Sequence, residues 1–213
     1  MTQQEAALPA RDAERTRRDL LDVATEVFAQ DGFAGARVDE IARRTRTTKR
    51  MIYYYFGSKD GLYSAVLERA YLGIRQAEQR LDVGDLAPQE AMRRLAALTF
   101  DHHVAHEAFI RLVAIENIHH GEFVKRLESV RTASAPARDL VAEILARGEA
   151  AGVFRGDVDA LDVHMLISAF CVFQVANKHT FGHLFDVDLA APDRLERSRR
   201  VLGDVVVGWL AAR

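Results

Sequence analysis

Apolar residues recur along this chain at helical spacing, and no convincing run of alternating apolar and polar positions interrupts them. Leu20, Ala24, Val27 and Phe28 fall at i, i+4, i+7 and i+8, one face of a first helix that Gly32 and Phe33 then stop. Val38, Ile41 and Ala42 predict a short second helix, and Ile52, Tyr55 and Phe56 a third. Only the residues around Thr45, Arg46 and Thr47 separate them, and two short helices joined so tightly form a helix-turn-helix. Gly57 breaks the chain and Ser58 caps a long fourth helix, with Leu62, Val66 and Leu67 on one side, expected to reach Leu81. The prolines at 9, 88, 136 and 192 leave long stretches free of helix breakers. Further helices are expected over about 88–104, 106–118, 121–149, 158–182 and 193–211. The predicted fold is all-α: a polar tail over 1–11, a three-helix helix-turn-helix domain over 12–57, and a larger helical domain over 58–213 for effector binding and dimerisation.

The 29 basic and 31 acidic side chains nearly cancel, which argues against indiscriminate polyanion binding. Their placement says more. Residues 1–36 carry 4 basic and 7 acidic side chains, 37–59 carry 7 and 2, and 60–213 carry 18 and 22, so one short window is +5 in an otherwise acidic chain. That is the footprint of a local anion site. Cys171 is the only cysteine and lies in an apolar run, which rules out an intrachain disulfide and a cysteine-based zinc cluster and suits a reducing compartment. No apolar signal core or spanning segment is legible, so a cytoplasmic protein with no membrane partner is expected.

The basic window has an ordered chemistry. With Ile52, Tyr55 and Phe56 on one side of the third helix, Lys49, Arg50, Tyr53 and Tyr54 point largely the other way. The major groove admits one α-helix, where Lys and Arg donate to guanine and Tyr hydroxyls donate to phosphate. Thr47 and Thr48 precede the helix, where a hydroxyl caps the backbone or meets a phosphate. Lys59 sits at the start of the fourth helix, an unfavourable end for a cation unless an anion comes near.

The stretch Leu20–Tyr63 resembles the DNA-binding domain of TetR/AcrR family regulators, above all in Val38-Asp39-Glu40-Ile41-Ala42 and in the run from Thr48 through Tyr53-Tyr54-Tyr55-Phe56-Gly57-Ser58-Lys59 to Tyr63. The resemblance implies that Thr48, Lys49, Arg50 and Met51 lie nearest the bases. It places Tyr53, Tyr54 and Lys59 on base edges or phosphates and Arg37 near a phosphate. Two positions depart from the family's habit: Arg37 stands where Thr or Ser is common, and Arg46 stands where the turn usually has Gly. The implied function is a repressor released from a palindromic operator by a small-molecule effector, without a cofactor.

The later helices supply the remaining expectations. Leu195, Leu202, Val205, Val206 and Trp209 form an apolar stripe, and Leu161, Met165, Ser168, Ala169, Val172 and Ala176 give the preceding helix a side rich in small residues. Two such helices per subunit suit a four-helix homodimer interface, and a twofold pair of recognition helices reads a palindrome. Pockets combine apolar walls with a few polar groups, so His103, Glu116, Asn117, Gln174 and Asn177 are candidate effector contacts, with Phe100, Phe109, Phe123, Phe170 and Phe173 as walls. The pairs His102/His106 and His179/His183 have i, i+4 spacing that could chelate a metal, and a helical metal-dependent hydrolase using the histidine cluster is the alternative reading. No nucleophile elbow, phosphate loop or HExxH supports it, and no metal is expected. A sequence-tolerant DNA-packaging protein is a third reading, opposed by the acidic remainder.

Overall fold

The computed structural model describes residues 10–212, which form ten α-helices and one short 3-10 turn with no paired strand among them. The first nine residues of the expected tail lie outside the described residues. The helices are α1 (Ala10–Gly35), α2 (Val38–Arg44), α3 (Lys49–Phe56), α4 (Lys59–Gln79), α5 (Pro88–Ala105) and α6 (Glu107–Ile118), then the 3-10 turn Val124–Arg126, α7 (Glu128–Ala150), α8 (Ala160–Ala176), α9 (Lys178–Phe185) and α10 (Pro192–Leu210). Gly32 interrupts α1 with φ 69°, the positive angle that only glycine adopts without strain.

One apolar core gathers Leu20, Ala24 and Phe28 of α1, Ile41 of α2, Ile52 of α3 and Leu62, Tyr63 and Leu67 of α4. Leu112 of α6 and Phe123 reach into it, so this unit is seated on the rest of the chain. A second core joins α5, α7, α8 and α10 through Met92, Phe100, Ile144, Ile167, Cys171, Leu202 and Val206. Ile74, Phe109, Ile110 and Val175 form a smaller cluster between α4, α6 and α8. α4 therefore runs from the first core to the region between the others, about 30 Å at 1.5 Å per residue.

Three boundaries differ from the periodicity. α4 ends at Gln79, short of Leu81. The expected helix over 121–149 is split, because His120 and Gly121 both take positive φ and the Glu116 carboxylate accepts the N–H groups of Phe123 and Val124, each at 3.1 Å. The expected helix over 158–182 ends at Ala176, and α8 and α9 meet at Asn177 with a 71° bend. Among the described residues no single helix is long and apolar enough to cross a membrane.

Candidate DNA-binding face and ligand cavity

The helix-turn-helix is built by local bonds. α2 ends in a Schellman motif, with Arg46 N–H donating to Arg43 O and Thr47 N–H to Ala42 O at 2.9 Å. Arg46 occupies the left-handed position at φ 53°, where helices usually place glycine. Thr48 then caps α3, its hydroxyl accepting from Met51 N–H at 3.3 Å, and Ser58 caps α4 by accepting from Gly61 N–H at 3.0 Å. Ile52 is buried and Tyr55 and Phe56 lean on the same core. The opposite side of α3 is open: Thr48, Lys49 and Arg50 are exposed, Tyr53 is 43% and Tyr54 78% exposed, and Met51 is half-buried.

The cations around that face have weak partners. Lys49 pairs with Asp39 at 2.7 Å in full view of solvent, a contact worth less than about 1 kcal/mol and readily exchanged for a phosphate. Lys59 lies 4.8 Å above the Phe33 ring with its ammonium 3.5 Å from Ala34 O, at the rim between α1 and α4. Arg37 flanks the start of α2, exposed and making no side-chain cap.

A cavity of about 150 Å3 opens between α4, α5, α6 and α8. Apolar atoms of Ile74, Phe109, Ile110, Val113 and Val172 line it together with Tyr71, Arg75, Glu78, Thr99, His103, His164 and Ser168. Arg75 donates to Glu78 at 2.7 Å, and both side chains are nearly withdrawn from water. Burial raises the Glu78 carboxyl above its ordinary range, with Arg75 opposing, and burial also raises the Tyr71 phenol. His103 is held down to about 4, chiefly by burial, and burial then Arg75 lower His164. Neutral His103 has Nδ1 2.8 Å from Thr99 O. A carbonyl only accepts, so Nδ1 carries the proton and Nε2 the lone pair.

Residues 20–66 match the family described as bacterial regulatory proteins, tetR family, and residues 88–206 match the tetracyclin repressor-like C-terminal domain. The HTH-type transcriptional repressor NicS of Pseudomonas putida is 36% identical over 190 residues, 89% of this chain and 90% of that protein. The HTH-type transcriptional repressor SCO4008 of Streptomyces coelicolor is 31% identical, covering 79% of this chain and 82% of its own. The chain belongs to the TetR family. Among solved structures, the transcriptional regulator SCO4942 of Streptomyces coelicolor has TM-score 0.70 at 28% identity, covering 92% of this chain and 98% of that one. The ketosteroid regulator KstR2 of Mycobacterium tuberculosis has TM-score 0.70 at 18% identity over 97% and 98% of the two chains, a likeness of fold alone. As a TetR-family member the protein is a DNA-binding transcriptional regulator and not an enzyme, with an N-terminal DNA-binding domain followed by a helical domain. The hydrolase reading finds no support among these relatives.

Within this TetR-family frame, the residues expected to touch an effector scatter. His103 and Phe109 line the cavity. Glu116 is buried but turned to the backbone at 123–124, and Asn117 is exposed with its amide on Val113 O. Phe123 packs against Phe33 and Tyr63 in the first core. Phe100 and Phe170 belong to the second core, and half-exposed Phe173 meets Phe181 edge to face. Gln174 donates to Leu189 O, and Asn177 marks the α8–α9 bend. Tyr71, Arg75, Glu78 and His164 were not among the expected contacts. Their signal lay in α4, where the inward stripe of Leu67, Tyr71 and Ile74 runs on into Arg75 and Glu78. His102 and His106 stack at 4.1 Å outside the cavity, His106 Nδ1 lies 2.8 Å from His102 O, and among the described residues no three metal-ligating side chains converge.

The expected interface residues divide in the same way. Leu161, Met165, Ala169 and Ala176 are exposed along α8, and Val205 and Trp209 along α10. Leu202 and Val206 are buried in the second core with Leu195 packed against it, because these positions face α5 and α8 within the chain. Ser168 and Val172 line the cavity.

Proposed function

We propose that the protein is a cytoplasmic repressor that binds a palindromic operator as a homodimer and lets go when a small molecule occupies the cavity between α4, α5, α6 and α8. Residues 12–57 are the reading head and 58–213 the sensing and pairing part. The observation that carries this reading is the open face of α3, where Lys49, Arg50, Tyr53 and Tyr54 stand opposite buried Ile52 in a capped helix-turn-helix. Thr47, Thr48 and Met51 border the same face, and Arg37 and Lys59 flank it as phosphate contacts. Repression is supported by the relatives NicS and SCO4008, both named as repressors.

Pairing through Leu161, Met165, Ala169, Val205 and Trp209 sets two α3 helices side by side, about 34–36 Å apart where they enter successive major grooves. α4 links the two functions, with Lys59 at its DNA end and Arg75 and Glu78 at its cavity end. A ligand that shifts α4 changes the separation of the reading heads and so lowers their joint fit. Footprinting on the DNA around the protein's own gene tests the reading. Two symmetric protected half-sites are expected, and Lys59→Gln should weaken binding alike at all sequences and reduce the salt dependence by about one phosphate's worth. An asymmetric or unbounded footprint, or an unchanged salt slope, counts against it.

A further inference from the structure

The cavity of about 150 Å3 has the size of an engineered protein cavity that takes up benzene when lined by Leu, Ile and Phe. Here Ile74, Ile110, Val113 and Val172 form the aliphatic walls. Phe109 meets Tyr71 edge to face, with centroids 5.2 Å apart and planes at 87°. A flat ring packs well among such partners.

The polar end is specific. Arg75 is the one Lys or Arg among the described residues lining the cavity, and burial lowers the pKa of His103 and His164 beside it. Its guanidinium gives one N–H to Glu78, while its Nε–H is buried without a hydrogen-bond partner. A planar fork with donors to spare matches a carboxylate better than an amide or an amine. Glu78 fills that role incompletely, and burial raises its carboxyl, which favours its taking up a proton. The titratable and charged groups around it are Tyr71 and Arg75 of α4, His103 of α5 and His164 of α8, with Glu116 of α6 acting on Tyr71. An incoming carboxylate that pairs with Arg75 while Glu78 accepts one proton leaves the net charge inside the cavity unchanged.

We propose that the effector is a monocarboxylate carried on a single six-membered ring, its carboxylate taking Arg75 from Glu78. The inference rests on reading this cavity as the effector site. The test uses the full-length protein, alone and on its footprinted operator, with benzoate and its neutral and cationic counterparts benzamide and benzylamine. Thermal shift reads binding and fluorescence anisotropy reads operator release. Benzoate should bind at least about tenfold more tightly than benzamide and release the operator. Glu78→Gln, which removes the competing charge, should tighten benzoate. The pair Arg75→Gln with Glu78→Gln, which removes both charges without stranding either, should bind benzoate and benzamide alike. The proposal is overturned if none of the three binds, if benzamide or benzylamine matches benzoate, or if the preference survives in the double variant. Selective, Arg75-dependent binding of benzoate that leaves the operator occupied would support the ligand class and overturn the effector role of the cavity.

Discussion

His103 shows how a single side chain records its surroundings. It is buried beside Thr99 and Phe109, and its pKa is held to about 4 against an ordinary 6.5, chiefly because burial penalises the cation. The unfolded chain binds a proton on this ring once the pH falls below about 6.5, whereas the folded protein does so only near 4. Folding is therefore opposed progressively as pH drops through that window, by at most about 1.4 kcal/mol per pH unit for one ring. Glu78 works in the other direction, since its raised carboxyl binds a proton more readily in the folded state. His103→Asn separates the two, because the amide Nδ2–H stands where Nδ1–H stood and can still donate to Thr99 O while Glu78 is untouched. Urea unfolding at pH 7 and pH 5 should show a smaller loss of stability in the variant than in the native protein. Parallel losses would mean that the imidazole keeps its ordinary hydration.

At the level of elements, the junction of α3 and α4 sets how the reading helix is presented. Gly57 takes φ 75°, Ser58 caps α4, and Gly61 passes so close to the end of α3 that an added Cβ would lie 2.0 Å from Phe56 O. The obstruction is the backbone of Phe56, with the Ser58 Oγ 3.7 Å away, so the chain must shift to accept a methyl group. Gly61→Ala should cost about 1–3 kcal/mol in thermal unfolding and weaken operator binding by turning α3. A variant that kept both would show the junction to be slack. These devices were legible in the residues: the apolar spacing of Leu20–Phe28 and Ile52–Phe56, the caps at Thr48 and Ser58, and the cationic side of α3 all follow from short-range rules. What the spacing missed is tertiary. The bend at Asn177 has neither proline nor glycine to announce it, and the break after Gly121 depends on Glu116 reaching back to the turn. Arg75 and Glu78 carried no expectation, because only the arrival of α5, α6 and α8 around α4 turns that side of the helix into a cavity wall.

At the scale of the whole molecule, α8 has two occupations along one side, where Leu161, Met165, Ser168 and Val172 follow one another at helical spacing. Ser168 and Val172 line the cavity, while Leu161 and Met165, earlier along the helix, stand 56% and 65% exposed, and Val205 of α10 is 49% exposed. A single exposed apolar residue on a surface needs no explanation, but several large ones on two helices that pack together suit a partner's surface. A second copy covering them would join two reading heads, each too small to hold a specific site alone, and convert the second contact into an intramolecular one. Met165→Glu together with Val205→Glu places like charges across that twofold seam without entering either core. Light scattering should then give the mass of one chain, and operator affinity should fall by about 10²-fold or more, the avidity of a lost partner. Circular dichroism should remain helical, because the residues changed are exposed within the chain. Neither changed residue lines the cavity, so thermal shift with benzoate should persist in this monomer even as DNA binding is lost. A variant that stays dimeric would move the interface elsewhere, and one that becomes monomeric yet keeps its affinity would remove the need for a paired reading head.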